Sequence, residues 1–189
     1  MALNIGRHVV DPPVVLAPMA GVTNAVFRGL CRRYGDGIFV SEMVSARGLV
    51  ERDAKSFRMI RWPANETRRS VQLYGVHAGV VGAAVRIVCE ELGADHVDLN
   101  FGCPVAKVTR KGGGSAVPAH PVLFGDIVAA AVRAAGDVPL TVKMRIGISS
   151  SLVTCFEAGR IAADAGAAAV ALHARTAEQH YSGAADWRA

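Results

Sequence analysis

Three stretches of the chain, ELGADHVDLN, AAGDVPLTVK and DAGAAAVALH, repeat one order of events: the end of an Ala/Val-rich run, a glycine, a short loop, then a β-branched apolar run. Repetition of helix, glycine, loop and strand dictates a parallel sheet with right-handed crossover connections. Six runs have strand character: VVLA from Val14, IFV from Ile38, VQL from Val71, HVDLN from His96, LTVKM from Leu140 and AAVALHA from Ala168. They are nearly continuous in apolar residues, as strands covered on both faces are. Helices are expected over His77–Leu92, Pro121–Ala135 and Leu152–Ala165, each followed by a glycine (Gly93, Gly136, Gly166) that can take the C′ position.

Polar residues decide between an open sheet and a barrel. Glu42, Gln72, Asn100, Lys143, Arg145 and His173 fall at or just beyond the C-terminal ends of successive strands. A TIM barrel builds its site there from several strands, whereas an open doubly wound sheet concentrates its site at one switch point. No Gly-x-Gly-x-x-Gly follows the first strand, which argues against a dinucleotide-binding Rossmann domain. The expected class is α/β, a TIM (β/α)8 barrel that is incomplete, with about six βα units present where the closed barrel has eight. The chain reaches Ala189 in ADWRA without a turn signal or polar tail, so a partial chain lacking the last two strands is expected. A complete six-stranded open sheet is the competing reading.

Composition adds limits. With 51% hydrophobic and 20% charged residues, the 189-residue chain can bury a core and is not of disordered type. Its 21 Lys and Arg against 16 acids give a net charge of +5, which suits a polyanionic partner without proving one. Four cysteines, Cys31, Cys89, Cys103 and Cys155, are widely spaced. They form neither a C-x-x-C pair nor a zinc pattern with histidine, so neither a disulfide framework nor a metal site is expected. The N-terminus is not built like a signal peptide, and no run is long and apolar enough to span a membrane. A monomer in a reducing cytoplasm is the expectation.

Cys103 is the residue best placed for chemistry. It follows HVDLN between Gly102, which permits an unusual backbone angle, and Pro104, which fixes the next one. The other three cysteines lie in helical segments, as small buried hydrophobes do. A lysine within LTVKM, Lys143, needs an anionic or electron-rich partner if it points into the barrel; otherwise it snorkels to water. Gln72 and Asn100 each carry an amide that donates and accepts, suited to reading a ring edge or to capping a loop. Arg145 follows Lys143 by two residues, and His173 can hydrogen-bond a cofactor from the barrel floor or fill the core. The basic, glycine-rich run KVTRKGGGSA carries Lys107, Arg110 and Lys111 just beyond the thiol. It is not a P-loop, because GGGSA lacks the Lys-Ser/Thr ending; it is either a flexible loop or one that closes over a polyanion.

APMAGVTNAVFR, SEM, VQLYG, DLNFGCPVAKVTRKGGGSA, PLTVKMRIG and ALHARTAEQHYSGAADW occur in one order over about Val14 to Trp187. Together they resemble the bacterial tRNA-dihydrouridine synthases, close to the B-type branch. APMAG alone is shared with other flavin barrels, whereas DLNFGCP followed by KV and a glycine-rich loop is the discriminating element. The resemblance implies an FMN-binding TIM barrel followed by a small helical tRNA-binding domain. Residues 1–189 would then be a partial barrel domain, without the C-terminal strands, whose Asn-Gly-Asp and Gly-Arg segments grip the FMN phosphate, and without the helical domain. It implies that Pro18, Met19, Ala20, Gln72, Lys143 and His173 contact the flavin, that Asn100 and Arg145 hold the uracil, and that Cys103 is the proton donor. It implies that NADPH reduces FMN, and that the reduced flavin passes hydride to C6 of a uridine extruded from tRNA while Cys103 protonates C5. A thiol, mostly protonated at pH 7, suits that task. Asn24 stands where relatives usually carry Asp, and HARTAEQ where HGRTR-like wording is common; small effects on the loop are expected. Two other functions remain on the residues alone: an FMN barrel reducing a free pyrimidine or enone, and an inactive RNA-binding remnant.

Overall fold

The computed structural model describes residues 2–188. The chain opens with an antiparallel hairpin, β1 (Leu3–Ile5) and β2 (His8–Val10). Six parallel strands follow: β3 (Val15–Leu16), β4 (Ile38–Ser45), β5 (Ser70–Tyr74), β6 (His96–Phe101), β7 (Leu140–Arg145) and β8 (Ala169–His173). Their spatial order is β3-β4-β5-β6-β7-β8, so every strand lies beside its sequence neighbour and no switch point exists. That order excludes the doubly wound alternative, whose strand order reverses. The sheet is a curled half-barrel, the expected incomplete TIM barrel.

Between the strands run α1 (Ala25–Cys31), α2 (Ala46–Val50), α3 (Ala54–Met59), α4 (Ala78–Arg86), α5 (Ala106–Thr109), α6 (Pro121–Ala135) and α7 (Cys155–Asp164). Helix α4 packs against α2 and α6, and α6 against α7, so these helices form one outer layer. Their apolar faces (Val81, Ala84, Val85, Phe124, Ile127, Ala131) meet Val71, Leu73, Val97, Leu99, Val142 and Met144 in the main core. Each fully buried aliphatic or aromatic side chain there contributes roughly 1.5–3 kcal/mol. Successive strand residues point to opposite faces. The residues between those apolar ones, Ser70, Gln72, His96, Asp98, Asn100, Thr141, Lys143 and Arg145, therefore face the concave side.

The helix expectations hold with two local changes. The α4 segment ends in a π-turn, Ile87–Glu91. Helix α7 begins at Cys155 rather than Leu152, because Val153 bridges Gly147 and Leu152 accepts from Ile148 N. Gly93, Gly136 and Gly166 all take positive φ, as anticipated. The hairpin was not anticipated. His8 Nε2 pairs with the carbonyl of Asp95, before β6, and a Cβ on Gly6 would fall 2.7 Å from Pro139, before β7. The hairpin thus plugs the N-terminal end of the strands, opposite the mouth. At the lateral edges, Val15 on β3 and Val170 and Leu172 on β8 stay exposed, since the curl does not close.

Candidate active site

The concave face is organised by a buried carboxylate. Asp98, in the middle of β6, accepts from Thr141 Oγ1 at 2.6 Å on one oxygen and from Gln72 Nε2 at 2.6 Å on the other. Parallel register makes these neighbours, with Gln72 opposite Asp98 and Asp98 opposite Thr141. Thr141 has one proton and gives it to Asp98. It must therefore accept from His96 Nε2, 2.9 Å away, which leaves His96 Nδ1 to accept from Ser70 Oγ at 2.7 Å. On the other side, Asn100 Nδ2 donates to Gln72 Oε1 at 2.8 Å, and Asn100 Oδ1 accepts from the backbone N–H of Cys103 at 2.9 Å and of Gly102 at 3.2 Å. Two chains of donors, one rising from the barrel floor and one descending from the thiol turn, thus converge on Asp98. Burial pushes its pKa up to about 6 against the opposing bonds from Thr141 and Gln72 and the charge of Lys143. Burial also lowers His96 to about 4, so its neutral Nε2–H form persists at neutral pH.

Gln72 lies in the middle of β5 rather than at its end, and is 1% exposed. One of its N–H groups and its carbonyl are already engaged, so it offers chiefly its second N–H to a ring. Glu42 likewise lies inside β4, where an extra residue between Val40 and Met43 shifts the register against β5. Its Oε2 accepts from Gly21 N, and Thr23 bonds both ways with the Met19 backbone, Met19 N donating to the hydroxyl at 3.0 Å. The turn of Pro18, Met19 and Ala20 is thereby fixed at the C-terminal end of β3. Asn24 caps α1, accepting from Phe27 N at 3.1 Å, a task that Asn and Asp perform equally well.

Cys103 is half-buried. Its backbone is held from three sides: Asn100 takes its N–H, its carbonyl accepts from Ser115 N at 3.0 Å, and Arg145 Nε donates to the neighbouring Gly102 carbonyl at 2.9 Å. Gly102, expected to permit an unusual backbone angle, does not take positive φ; Gly114 does, and a Cβ there would collide with the Cys103 carbonyl. The glycine-rich run is not a loose loop. It folds into α5, a turn and a 3-10 helix, Gly114–Ala119, while Lys107, Arg110 and Lys111 remain exposed.

Lys143 lies opposite Asn100 in the β6–β7 register and is half-buried. Burial lowers its pKa, Asp98 pulls the other way and Arg145 adds to the lowering. Among the described residues its ammonium forms no ion pair. Arg145 is buried and much engaged. Its Nη1 donates to the carbonyls of Thr176 at 2.7 Å and His180 at 2.8 Å, and its guanidinium lies over the Tyr181 ring. It braces the 176–181 segment beside the thiol turn and leaves Nη2 for anything else. His173 ends β8, at the mouth rather than the floor. Its Nε2 accepts from Arg175 Nη1 at 3.2 Å, and its pKa is lowered to about 4 by burial and by Arg145, Lys143 and Arg175, so the ring is neutral.

A family model described as Dihydrouridine synthase (Dus) matches residues 15–189. A protein of Mycobacterium tuberculosis named "Probable tRNA-dihydrouridine synthase" is 55% identical over 98% of this chain and 50% of its own length.

The chain belongs to the dihydrouridine synthase family.

A Mycobacterium leprae protein of the same name is 50% identical over 92% of this chain and 52% of its own. "tRNA-dihydrouridine synthase B" of Vibrio parahaemolyticus is 38% identical over 98% of this chain and 57% of its own. The chain thus spans about half the length of the curated relatives it matches. Within this family member, Gln72, Asn100, Cys103, Lys143, Arg145 and His173 share the mouth and concave face, joined by the 18–20 turn. Asp98, Thr141, His96 and Ser70 were not singled out from the sequence. The signal was there in part, since period-two alternation through HVDLN puts His96 and Asp98 on the face of Asn100. Among the described residues no group of three or more His, Cys, Asp or Glu is placed to hold a metal, and no helix is long and apolar enough to cross a membrane.

Proposed function

We propose that this chain forms part of the FMN-binding barrel of an enzyme that reduces uridine in tRNA to 5,6-dihydrouridine, with NADPH as reductant and Cys103 as proton donor. The observation that carries the reading is Lys143: a half-buried ammonium that forms no ion pair among the described residues, one strand from the thiol turn, in a chain of this family. Such a cation fits the electron-rich pyrimidine edge of a flavin, where negative charge grows on reduction. Gln72 would add its free N–H to that edge, the 18–20 turn would lie against the ring system, and neutral His173 would offer Nδ1–H. When bound, FMN supplies hydride to C6 of the uracil.

The remaining work falls to side chains of this chain. Asn100 holds the N–H groups of Gly102 and Cys103 and so sets the position of the thiol. Arg145 fixes the same turn through the Gly102 carbonyl, and its Nη2, with the second N–H of Asn100, is available to the uracil. Cys103 donates its proton to C5 and recovers one from solvent, to which it is partly open. Lys143, Arg145 and Arg175 make the mouth cationic, as an RNA substrate requires.

The test is a chimera in which this chain replaces the matching half of the Mycobacterium tuberculosis relative. Supplied with FMN, NADPH and an unmodified tRNA transcript, it is expected to form dihydrouridine, read by mass spectrometry of the digested RNA. Turnover of free uridine with none in tRNA would overturn the reading.

A further inference from the structure

Arg28, Arg32, Arg47, Arg52 and Arg68 are all in ion pairs. Lys55, Arg58 and Arg61 are in none among the described residues, are exposed, and line one groove of about 780 Å³ between α1 and α3. Lys55 and Arg58 lie three apart on α3 and so share a helix face, with Arg61 just beyond the helix end. Glu42, at the groove's inner end, accepts from Gly21 N, and Asp53 caps α3 through Ser56 N and Oγ at 2.8 Å each while feeling Arg58 only at a distance, without an ion pair. The opposite wall is apolar, with Val22, Val26 and Leu30 at 41%, 83% and 47% exposure.

The groove has a fixed shape and a fixed direction. Beneath it, buried Arg28 ties α1 to Glu66 and to the Arg61 carbonyl, so the two walls cannot drift apart. Its inner end is formed by Gly21 and Glu42, the pair that fixes the 18–20 turn at the strand ends. A polymer leaving the mouth therefore meets this groove next. Three cations without ion pairs among the described residues on one wall and exposed apolar side chains on the other match a single-stranded nucleic acid, whose charged backbone and flat, weakly hydrated bases lie on opposite sides.

We propose that this groove binds a single-stranded RNA segment flanking the nucleotide at the mouth, with phosphates against Lys55, Arg58 and Arg61 and bases or sugars against Val22, Val26 and Leu30. The assignment takes only the RNA substrate from the function proposed above; it needs no chemistry at Cys103.

The test uses the 189-residue chain itself and two fluorescent probes, an unmodified tRNA transcript and a short oligouridylate, with anisotropy read across a salt series. Replacing all three cations (Lys55→Glu, Arg58→Glu, Arg61→Glu) is expected to weaken both probes at least about tenfold and to reduce the slope of log K against log salt by about two, from three phosphate contacts at about 0.7 each. Val26→Asp, at a position too exposed to disturb the fold, is expected to weaken binding as well. Unchanged affinity and slope in the triple variant would overturn the proposal, as would a wild-type chain that binds neither probe. If the groove is covered instead by protein, Val26→Asp lowers the stability of the longer chimera while the triple variant keeps wild-type RNA affinity, which also overturns it. A chimera that makes dihydrouridine with the triple variant at wild-type KM would remove the groove and leave the reductase reading. Groove-dependent RNA binding without dihydrouridine formation would do the reverse.

Discussion

Gln72 donates to Asp98 inside the strand layer at 2.6 Å, and this bond decides which way the amide faces. With Nε2 turned to the carboxylate, Oε1 is turned to Asn100, and Asn100 in turn presents its carbonyl to the thiol turn. Asp98→Asn keeps the shape but offers an N–H where Thr141 or Gln72 already offers one. The resulting donor–donor clash costs about 1–3 kcal/mol and is relieved by turning an amide over. Nitrogen-15 NMR of the side-chain amides is expected to show Gln72 and Asn100 shifted together in this variant. Unmoved amides would mean that Asp98 does not set their orientation.

The same carboxylate gives stability a pH dependence of known sign. The folded pKa of Asp98, about 6, lies above its ordinary value of 3.8. Between those values the folded chain binds more protons than the unfolded one, so the Asp98 contribution falls as pH rises from about 4 to 6 and is level above that. His96 acts in the opposite direction over much of the same window. Its folded pKa of about 4 lies below 6.5, so its contribution grows as pH rises. The two offset one another in the wild type and separate in variants. Relative to wild type, Asp98→Asn is expected to gain stability with rising pH between about 4 and 6, and His96→Gln to lose it between about 4 and 6.5. Urea unfolding midpoints at half-unit pH steps measure both, and parallel profiles for either variant would rule that residue out.

How far the sequence carried depended on the distance between partners. The βα repeat is local, so six strands, their order and the barrel class were legible. DLNFGCP is also local, and it picked out Cys103 and Asn100. The centre of the network was not legible, because Asp98 meets Gln72 across 26 positions and Thr141 across 43, and only strand register makes them neighbours. The β1–β2 hairpin was missed because three-residue strands are too short to show alternation. Arg145 was expected to help hold the uracil; its bonds to the carbonyls of Gly102, Thr176 and His180 were not legible, because they come from segments that no spacing rule links.

Cys103→Ala tests the proton-donor role. The thiol's own side chain carries none of the bonds that hold its turn, which run through the backbone of Gly102 and Cys103. The variant should therefore fold normally. In the chimera, bleaching of the flavin by NADPH is expected to stay at the wild-type rate, while dihydrouridine formation slows by roughly 10²–10⁴-fold. Undiminished product formation would assign the proton to another group.

Gly114 and Gly112 offer a matched pair for testing how tightly the basic run supports the thiol turn. Both have positive φ, 57° and 74°, so alanine at either pays the left-handed cost of roughly 1–2 kcal/mol. At Gly112 a Cβ meets nothing within 4 Å, whereas at Gly114 it strikes the Cys103 carbonyl. Gly114→Ala is therefore expected to be the more destabilising in urea unfolding and to slow dihydrouridine formation in the chimera, with Gly112→Ala affecting stability alone. Equal activity losses would show that contact with Cys103 is not what matters.

The largest single loss of stability is expected far from the thiol, at Glu66. Arg28 and Glu66 have no exposed side-chain surface and are joined twice, Nε to Oε1 at 2.8 Å and Nη2 to Oε2 at 3.1 Å. Arg28 also donates to the carbonyls of Thr23 and Arg61 and lies 6.0 Å from the Trp62 ring centre. Removing the carboxylate leaves a guanidinium in the interior with its strongest partner gone, which costs about 3–5 kcal/mol. Arg52 and Glu91 make a similar pair at 2.6 Å, but both are exposed, and water replaces either partner. Glu66→Ala should therefore lower the urea midpoint sharply, and Glu91→Ala should leave it nearly unchanged. Because Arg28 also fixes the carbonyl of Thr23, whose hydroxyl bonds Met19, the Glu66 variant is further expected to weaken FMN binding, measured by flavin fluorescence quenching in the chimera. A Glu66→Ala chain with a wild-type midpoint would show that the buried pair does not hold α1 in place.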